Sequence, residues 1–304
     1  MRRIKVPSPC KINLHLSVGE RRADGYHDLE SIFQALDFGD TLSLELAGQD
    51  GVCELFPGSP LLRAVPPGEN IVCRAVSLFR RRTGFDRGIR AGLEKRVPLG
   101  GGLGGGSSNA AAALGALNIL AGTALPPAEL RDMALSLGSD VPFFLAGGTA
   151  WVSGRGERIF PLESLPPWPV VLVNPGFPSP TAEAFRRLDS RRGGASRGPG
   201  GRPGREALTG ALSAGPGDWP FWNDFFPALA EGPGEEAAAY RRIISALRDA
   251  GAVFTGLSGA GSTCFGIFTD GGDAEKAAHF LLNHRIFVYV TFFLARSAFR
   301  VLEC

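Results

Sequence analysis

The chain has 304 residues and a formal net charge of only +2, and 44% of its residues are hydrophobic. This length allows a large core and predicts two domains, while the near-neutral charge argues against nucleic acid or an acidic membrane as a partner. The longest apolar run, at 286–295, is too short to span a bilayer, so we expect no membrane partner.

Cysteine and histidine usage bears on the compartment and on metals. Five cysteines are scattered without a Cys-x-x-Cys pair, at Cys10, Cys53, Cys73, Cys264 and Cys304, which is typical of reduced thiols in a cytoplasm. The four histidines show no zinc-ligand spacing. Because the N-terminus carries no apolar signal core, we expect a cytoplasmic protein.

The first 46 residues alternate between apolar and polar in the manner of β-strands. We predict strands over Ile4–Val6, Ile12–Val18, Ile32–Leu36 and Thr41–Leu46, with turns at Asp24-Gly25 and at Asp37–Asp40.

Lys11 interrupts the apolar pattern of this first segment. A buried ammonium costs free energy unless an anion pairs with it, and Asn13, two residues on, shares its face of the strand. The pattern fits either a site lysine with an anionic partner or a solvated lysine at a sheet edge.

Tyr26 and His27 leave the first predicted turn side by side. An aromatic ring beside an imidazole can stack on a flat polar ring and hydrogen-bond to it. The same pair can equally be ordinary turn residues.

A glycine-rich segment follows a predicted helix, Asn70–Thr83, and a predicted strand, Ile89–Leu93. Six of the seven residues at 100–106 are glycine, and a predicted helix, Ser107–Leu120, comes directly behind them. Glycine permits positive φ and close approach of a ligand, and a helix start presents unpaired N–H groups. The segment therefore predicts a phosphate cradle rather than a flexible loop. It has no Walker pattern, and its context does not suit a dinucleotide loop.

Asp140 lies between a glycine and an apolar run, after a predicted helix at Pro127–Leu137. A carboxylate in this position is expected to be partly buried and to need a cation, for which Lys11 is the obvious candidate. Alternatively, Ser139 or Asp140 caps a helix that starts at Pro142. A hairpin over Thr149–Val152 and Glu157–Phe160 follows.

Four prolines at 161–169 mark a domain boundary, and we predict domains at 1–163 and 164–304. The second half alternates strands and helices, which indicates an α+β or split βαβ sheet. The predicted strands are Val170–Asn174, Val253–Leu257, Thr263–Phe268 and Phe287–Leu294, and the predicted helices are Thr181–Leu188, Glu235–Ala250 and Ala274–Asn283, with a helix entrance at Trp222–Pro227. A second glycine turn lies at 258–262.

An arginine- and glycine-rich insertion at about 190–205 has no large apolar residue. It cannot bury enough surface to order itself, so we expect a disordered type of segment. RNA binding by such a tract is a minor alternative, and we expect no nucleic-acid partner.

Two glycine-rich anion sites, a lysine and a buried carboxylate, without a histidine base, favour phosphoryl transfer. Lys11 would offset charge on the transferred group, and Asp140 would orient an acceptor hydroxyl and take its proton. Ser107 or Ser108 would help to hold Mg²⁺, which prefers oxygen ligands.

The chain resembles the GHMP family of small-molecule kinases over nearly its whole length. The resemblance rests on three motifs, Pro9-Cys-Lys-Ile-Asn-Leu, Pro98–Ala110 and Leu257-Ser-Gly-Ala-Gly-Ser. It implies a two-domain α/β (α+β) fold, with an N-terminal domain like domain 2 of ribosomal protein S5 and a ferredoxin-like C-terminal domain. It also implies ATP and Mg²⁺ as cofactors and a chain that is a monomer or a weak homodimer.

Three segments resemble the branch of that family whose acceptor is a cytidine-diphosphate-linked methylerythritol: Arg22-Ala-Asp-Gly-Tyr-His-Asp-Leu, Gly-Gly-Gly-Ser-Ser-Asn-Ala ending at Ala110, and Gly138-Ser-Asp-Val-Pro. This implies phosphorylation of a 2-hydroxyl in isoprenoid precursor biosynthesis. The alternatives are a GHMP kinase for another small alcohol, of the homoserine or mevalonate type, and a nucleotide-binding protein without catalysis.

The resemblance also implies residue roles. Lys11 and Asp140 match the catalytic pair. The ATP-binding residues would be Pro98, Gly100, Gly101, Gly102, Leu103, Gly104, Gly105, Gly106, Ser107 and Ser108. The substrate-binding residues would be Asn13, Tyr26, His27, Phe185, Gly259 and Gly261, with Tyr26, His27 and Phe185 around the cytosine.

Overall fold

A computed structural model describes residues 3–47, 53–56, 70–193, 203–282 and 286–295. Its first sheet contains β1 (Arg3–Arg21), β2 (His27–Leu46), β3 (Cys53–Phe56), β4 (Ile89–Glu94), β5 (Thr149–Gly154) and β6 (Arg158–Pro161). The strands follow the order β3-β4-β2-β5-β6, and β1 pairs with β2 along its other edge. The long β2 strand therefore joins the whole sheet, because its first half pairs with β5 and its second half with β4.

Four helices pack with this sheet: α1 (Ile71–Thr83), α2 (Gly105–Ala121), α3 (Pro127–Leu137) and α4 (Val141–Ala146). Asn70 caps α1 by accepting the Val72 N–H, and Gly84 ends it at a φ of 72°. The alanine-rich α2 is buried on most of its circumference, which small side chains permit. Its buried position fixes where the preceding glycine loop lies.

The second sheet contains β7 (Pro169–Asn174), β8 (Phe254–Leu257), β9 (Cys264–Ile267) and β10 (Phe287–Phe292). Its order is β10-β7-β9-β8, with antiparallel neighbours. The helices are α5 (Thr181–Arg192), α6 (Arg205–Gly210), α7 (Phe225–Ala230), α8 (Glu235–Asp249) and α9 (Gly271–Leu281). Strands and main helices alternate as in a ferredoxin-like split βαβ unit, which was one of the two predicted arrangements.

The predicted turn at Asp37–Asp40 is wrong, because β2 continues through it. Gly39 lies opposite Pro9 in the β1–β2 ladder, where the register shifts before Lys11. A Cβ on Gly39 would lie 2.1 Å from the Ser8 carbonyl oxygen, so the glycine allows a close strand approach beside a bulge rather than a turn.

Other predictions differ in extent. The strands Ile4–Val6 and Ile12–Val18 are one strand, and neither β3 nor α6 was predicted. The first residues of the predicted insertion are helical, since α5 extends to Arg192, whose guanidinium donates to the carbonyl oxygens of Val18 and Gly19. Residues 194–202 of the insertion, Asn283 and Cys304 lie outside the described residues.

The boundary at 163/164 stays a prediction. Residues 162–168, all described, contain neither a strand nor a helix and connect the two sheets. Within the described ranges, no helix is long and apolar enough to cross a membrane.

Candidate active site

A cavity of about 850 Å³ lies between β1, β2, the glycine loop, α5 and the second glycine turn. It brings together nine predicted site residues: Lys11, Asn13, Tyr26, His27, Gly102, Gly104, Asp140, Phe185 and Gly259. The other predicted residues lie outside this lining: Pro98, Gly100, Gly101, Leu103, Gly105, Gly106, Ser107, Ser108 and Gly261.

Lys11 lies at the bulge of β1. Its backbone N–H donates to the Leu103 carbonyl at 3.0 Å, which ties the strand to the glycine loop. Its Nζ donates to Asn13 Oδ1 at 2.7 Å and lies 4.7 Å from the centre of the Phe33 ring. The side chain is only 4% exposed, so the structure rules out a solvated edge lysine.

The carboxylate nearest to this ammonium group is that of Asp140, with Oδ2 3.8 Å from Lys11 Nζ. Burial lowers the pKa of the Lys11 ammonium from its ordinary value, and the negative charge of Asp140 opposes that shift. Asp140 directly precedes α4, but its side chain makes no capping hydrogen bond. Asp140 is therefore not a side-chain cap, whereas a cap by Ser139 stays a prediction. The Asp140 carboxylate is instead 31% exposed at the cavity.

Close backbone contacts shape the glycine loop. Gly102 has a φ of 77°, and a Cβ there would lie 2.1 Å from the Ser258 carbonyl oxygen. The Ser258 hydroxyl donates to the Gly102 carbonyl at 2.9 Å, so the two glycine turns dock onto each other. A Cβ on Gly104 would lie 2.8 Å from the Phe144 ring and 3.2 Å from the Lys11 stem.

The loop ends at a helix start that suits an anion. Gly104 is the N-cap of α2 and offers no side chain to the first-turn N–H groups, so these groups can bind phosphate oxygens. Ser107 is half-buried, whereas Ser108 is 1% exposed and accepts a 2.9 Å hydrogen bond from the Ser8 hydroxyl.

The far end of the cavity is aromatic. The His27 imidazole stacks on Phe185, with ring centres 4.8 Å apart and planes at 19°. His27 Nε2 lies 3.0 Å from Asp189 Oδ1. Tyr26 is 57% exposed, with the Arg155 guanidinium 5.0 Å from its ring centre.

Two families, the GHMP kinases N terminal domain and the GHMP kinases C terminal, match residues 70–148 and 221–285. The 4-diphosphocytidyl-2-C-methyl-D-erythritol kinase of Anaeromyxobacter dehalogenans (strain 2CP-C) is 41% identical over 284 residues, which cover 91% of this chain and 84% of that relative. The chain belongs to the 4-diphosphocytidyl-2-C-methyl-D-erythritol kinases of the GHMP family.

Two solved structures are similar to this chain, and the first agrees with the kinase assignment. A crystal structure of 4-(cytidine 5'-diphospho)-2C-methyl-D-erythritol kinase is 34% identical, with a TM-score of 0.75, and the match covers 95% of this chain and 99% of that one. The homoserine kinase from Cytophaga hutchinsonii is 19% identical, with a TM-score of 0.66, and covers 97% of this chain and 96% of its own. That second likeness shows the fold alone. The predicted fold class and family are confirmed, and the predicted alternative of a nucleotide-binding protein without catalysis is not supported.

Sequence reasoning missed several residues of this kinase that line or support the cavity. Asp189 is 162 positions from His27, so no local pattern could join them. Arg155 lies in the turn between β5 and β6 and resembles an ordinary turn residue in the sequence. Asp40 was predicted as part of a turn, although its carboxylate is fully buried behind the glycine loop.

Proposed function

We propose that this kinase transfers the γ-phosphoryl group of ATP to the 2-hydroxyl of 4-diphosphocytidyl-2-C-methyl-D-erythritol, in the methylerythritol phosphate route to isoprenoid precursors. The observation that carries the proposal is a single cavity that joins Lys11 and Asp140 to His27 and Phe185. The relatives' names support the same substrate.

Lys11 and Asp140 would act at the acceptor hydroxyl. Asp140 is partly exposed and can accept the hydroxyl proton as the new P–O bond forms. Lys11, held by Asn13, would offset negative charge on the transferred group and on the acceptor oxygen. Phosphoryl transfer needs such positioning and charge neutralisation more than covalent catalysis.

The aromatic end of the cavity would hold the cytosine. Phe185 and Tyr26 supply ring faces for stacking, and His27 supplies a hydrogen-bonding edge. Arg21 and Arg155 line the same cavity, and their positive charge suits a substrate whose base and alcohol are linked by a diphosphate.

The glycine loop would hold the ATP phosphates through the first-turn N–H groups of α2. Bound Mg²⁺ supplies charge neutralisation at the phosphates and usually keeps several waters, with one or two protein oxygens. Ser107, half-buried at the helix start, fits this donor set better than Ser108, whose hydroxyl is buried against Ser8.

The same proposal assigns residues 1–163 to an ATP-binding domain and residues 164–304 to a second domain that closes the cavity with α5 and Gly259. We expect a bacterial cytoplasmic protein that is a monomer or a weak homodimer. Light scattering of the purified protein would test the oligomeric state.

The first test measures ADP release with Mg-ATP and four acceptor conditions: 4-diphosphocytidyl-2-C-methyl-D-erythritol, homoserine, mevalonate and no acceptor. We expect release with the cytidylyl substrate alone, and ³¹P NMR should place the new phosphate on its 2-hydroxyl. Release with homoserine or mevalonate alone would contradict the substrate assignment. If folded protein that binds ATP releases ADP with none of the three acceptors, that result would contradict the proposed reaction.

A further inference from the structure

Asp40 is a buried carboxylate that the proposed chemistry does not use. It lies in β2, outside the cavity lining, and its side chain is 0% exposed. A buried charge is costly unless it is paired and hydrogen-bonded, so the position of its donors shows what the carboxylate holds in place.

The first oxygen of Asp40 contacts the chain just before the glycine loop. Asp40 Oδ1 accepts hydrogen bonds from the backbone N–H groups of Arg96 at 2.8 Å and Val97 at 2.9 Å. Both residues directly precede Pro98, where the loop begins.

The second oxygen contacts the chain just after the loop. Asp40 Oδ2 accepts from Asn109 Nδ2 at 3.0 Å, and Asn109 lies in the second turn of α2. Asn109 Nδ2 also lies 2.7 Å from Ser8 Oγ. Lys95 Nζ pairs with the same Asp40 oxygen and lies 3.4 Å from Asn109 Oδ1.

We propose that Asp40 is a positioning residue that holds the two ends of the ATP phosphate loop in one fixed geometry. A carboxylate with one oxygen toward each end of the loop sets the spacing between Val97 and Asn109. That spacing determines where the first-turn N–H groups of α2 point. The proposal rests on the proposed assignment of this loop to ATP.

The test compares Asp40→Asn with the wild-type kinase and with Asp37→Asn, an exposed change in the same strand. The amide at position 40 can still accept from Arg96 and Val97, but its NH₂ group would face the NH₂ group of Asn109 and the Lys95 ammonium. We expect KM for ATP to rise about 10- to 100-fold, by analogy with the loss of a residue that orients a metal ligand. KM for the alcohol should stay within about 2-fold, because its proposed contacts lie elsewhere in the cavity.

A charge swap separates positioning from simple stabilisation. Asn109→Asp alone places two carboxylates beside one lysine and should also raise KM for ATP. In the double variant Asp40→Asn/Asn109→Asp, the amide at position 40 can donate to the carboxylate at position 109, which Lys95 neutralises. We expect the double variant to return KM for ATP to within about 3-fold of wild type, a strongly non-additive result.

Three results would overturn the inference while leaving the proposed function intact: an unchanged KM for ATP in Asp40→Asn, equal rises in both KM values, or no recovery in the double variant. If Asp40→Asn does not fold, Asn109→Ala removes the Asp40 contact that follows the loop, along with the contacts of the Asn109 amide to Ser8 and Lys95, and an unchanged KM for ATP in that variant overturns the inference as well. An inactive wild-type enzyme would instead contradict the proposed function.

Discussion

Lys11 and Lys95 are both buried lysines beside the glycine loop, with side chains 4% and 2% exposed. Lys95 forms a direct ion pair with Asp40, whose carboxylate is fully buried and also accepts backbone N–H groups. Lys11 has its nearest carboxylate, Asp140, at 3.8 Å, and that carboxylate is 31% exposed at the cavity.

The difference separates a structural charge from a functional one. A buried ion pair whose remaining lone pairs are all used is a closed unit that can hold the chain in place. An ammonium whose pKa is lowered by burial and only partly restored by its carboxylate retains electrostatic capacity for an anion that enters the cavity. The glycine loop between the two lysines is thus held in place by the buried Lys95–Asp40 pair, whereas Lys11 remains available to an anion in the cavity.

The largest expected effect is a loss of turnover when Asp140, on the cavity side of the glycine loop, is changed. Asp140→Asn keeps the size of the side chain but removes the proton acceptor, so kcat should fall about 10³-fold, as for loss of a general base. The check is steady-state ADP release with the cytidylyl substrate, beside calorimetric titration of ATP, which should bind as in wild type. Asp132→Asn, on the exposed side of α3, is the matched control. Normal turnover in Asp140→Asn would contradict a catalytic role for the Lys11–Asp140 pair, and with it the difference drawn from the Lys95–Asp40 pair.

The second largest expected effect is on stability and concerns the buried Lys95–Asp40 pair. Lys95→Met leaves the Asp40 charge buried without its cation, so we expect the free energy of unfolding to fall by about 3–5 kcal/mol. Lys11→Met leaves Asp140 partly exposed to water in the cavity, so its free energy of unfolding should change by only about 1 kcal/mol, although activity is lost.

Urea unfolding of both variants, followed by circular dichroism, checks this pair. Because Asp40→Asn removes the unpaired charge, Lys95→Met should cost much less in that background. Equal destabilisation by Lys95→Met and Lys11→Met would show that the two lysines do not differ in the way proposed.

The elements of the fold could be predicted wherever local pattern and packing agree. Alternation identified most strands, and the glycine-to-alanine change identified the start of α2 within two residues. The predicted turn at Asp37–Asp40 was wrong because Gly39 is required by close contact with a distant atom, the Ser8 carbonyl oxygen, and not by a local reversal of the chain.

The candidate site shows the same limit. Lys11 and Asp140 could be singled out because each is out of place in its own segment. His27 with Asp189, and Asp40 with Asn109, look ordinary locally and gain meaning only when packing brings them together. Pairs of this kind have no sequence period, so pattern reasoning cannot find them.

The smallest expected effect separates two adjacent residues of α2. Ser108→Ala removes a buried hydrogen bond to Ser8 and should lower the free energy of unfolding by about 1 kcal/mol. The KM for ATP should barely change, because Asp40 still holds both ends of the loop. Ser107→Ala changes a half-buried hydroxyl at the helix start, so stability should stay constant while the Mg²⁺ concentration for half-maximal activity rises several-fold.

Titration of Mg²⁺ at fixed ATP, run beside urea unfolding for each variant, measures both quantities. The two adjacent serines then report on opposite sides of the loop: one variant shifts only the unfolding midpoint and the other only the Mg²⁺ requirement. If Ser108→Ala shifts the Mg²⁺ requirement and Ser107→Ala does not, the metal ligand is Ser108, and the boundary between the cavity and the buried network lies one residue later in α2.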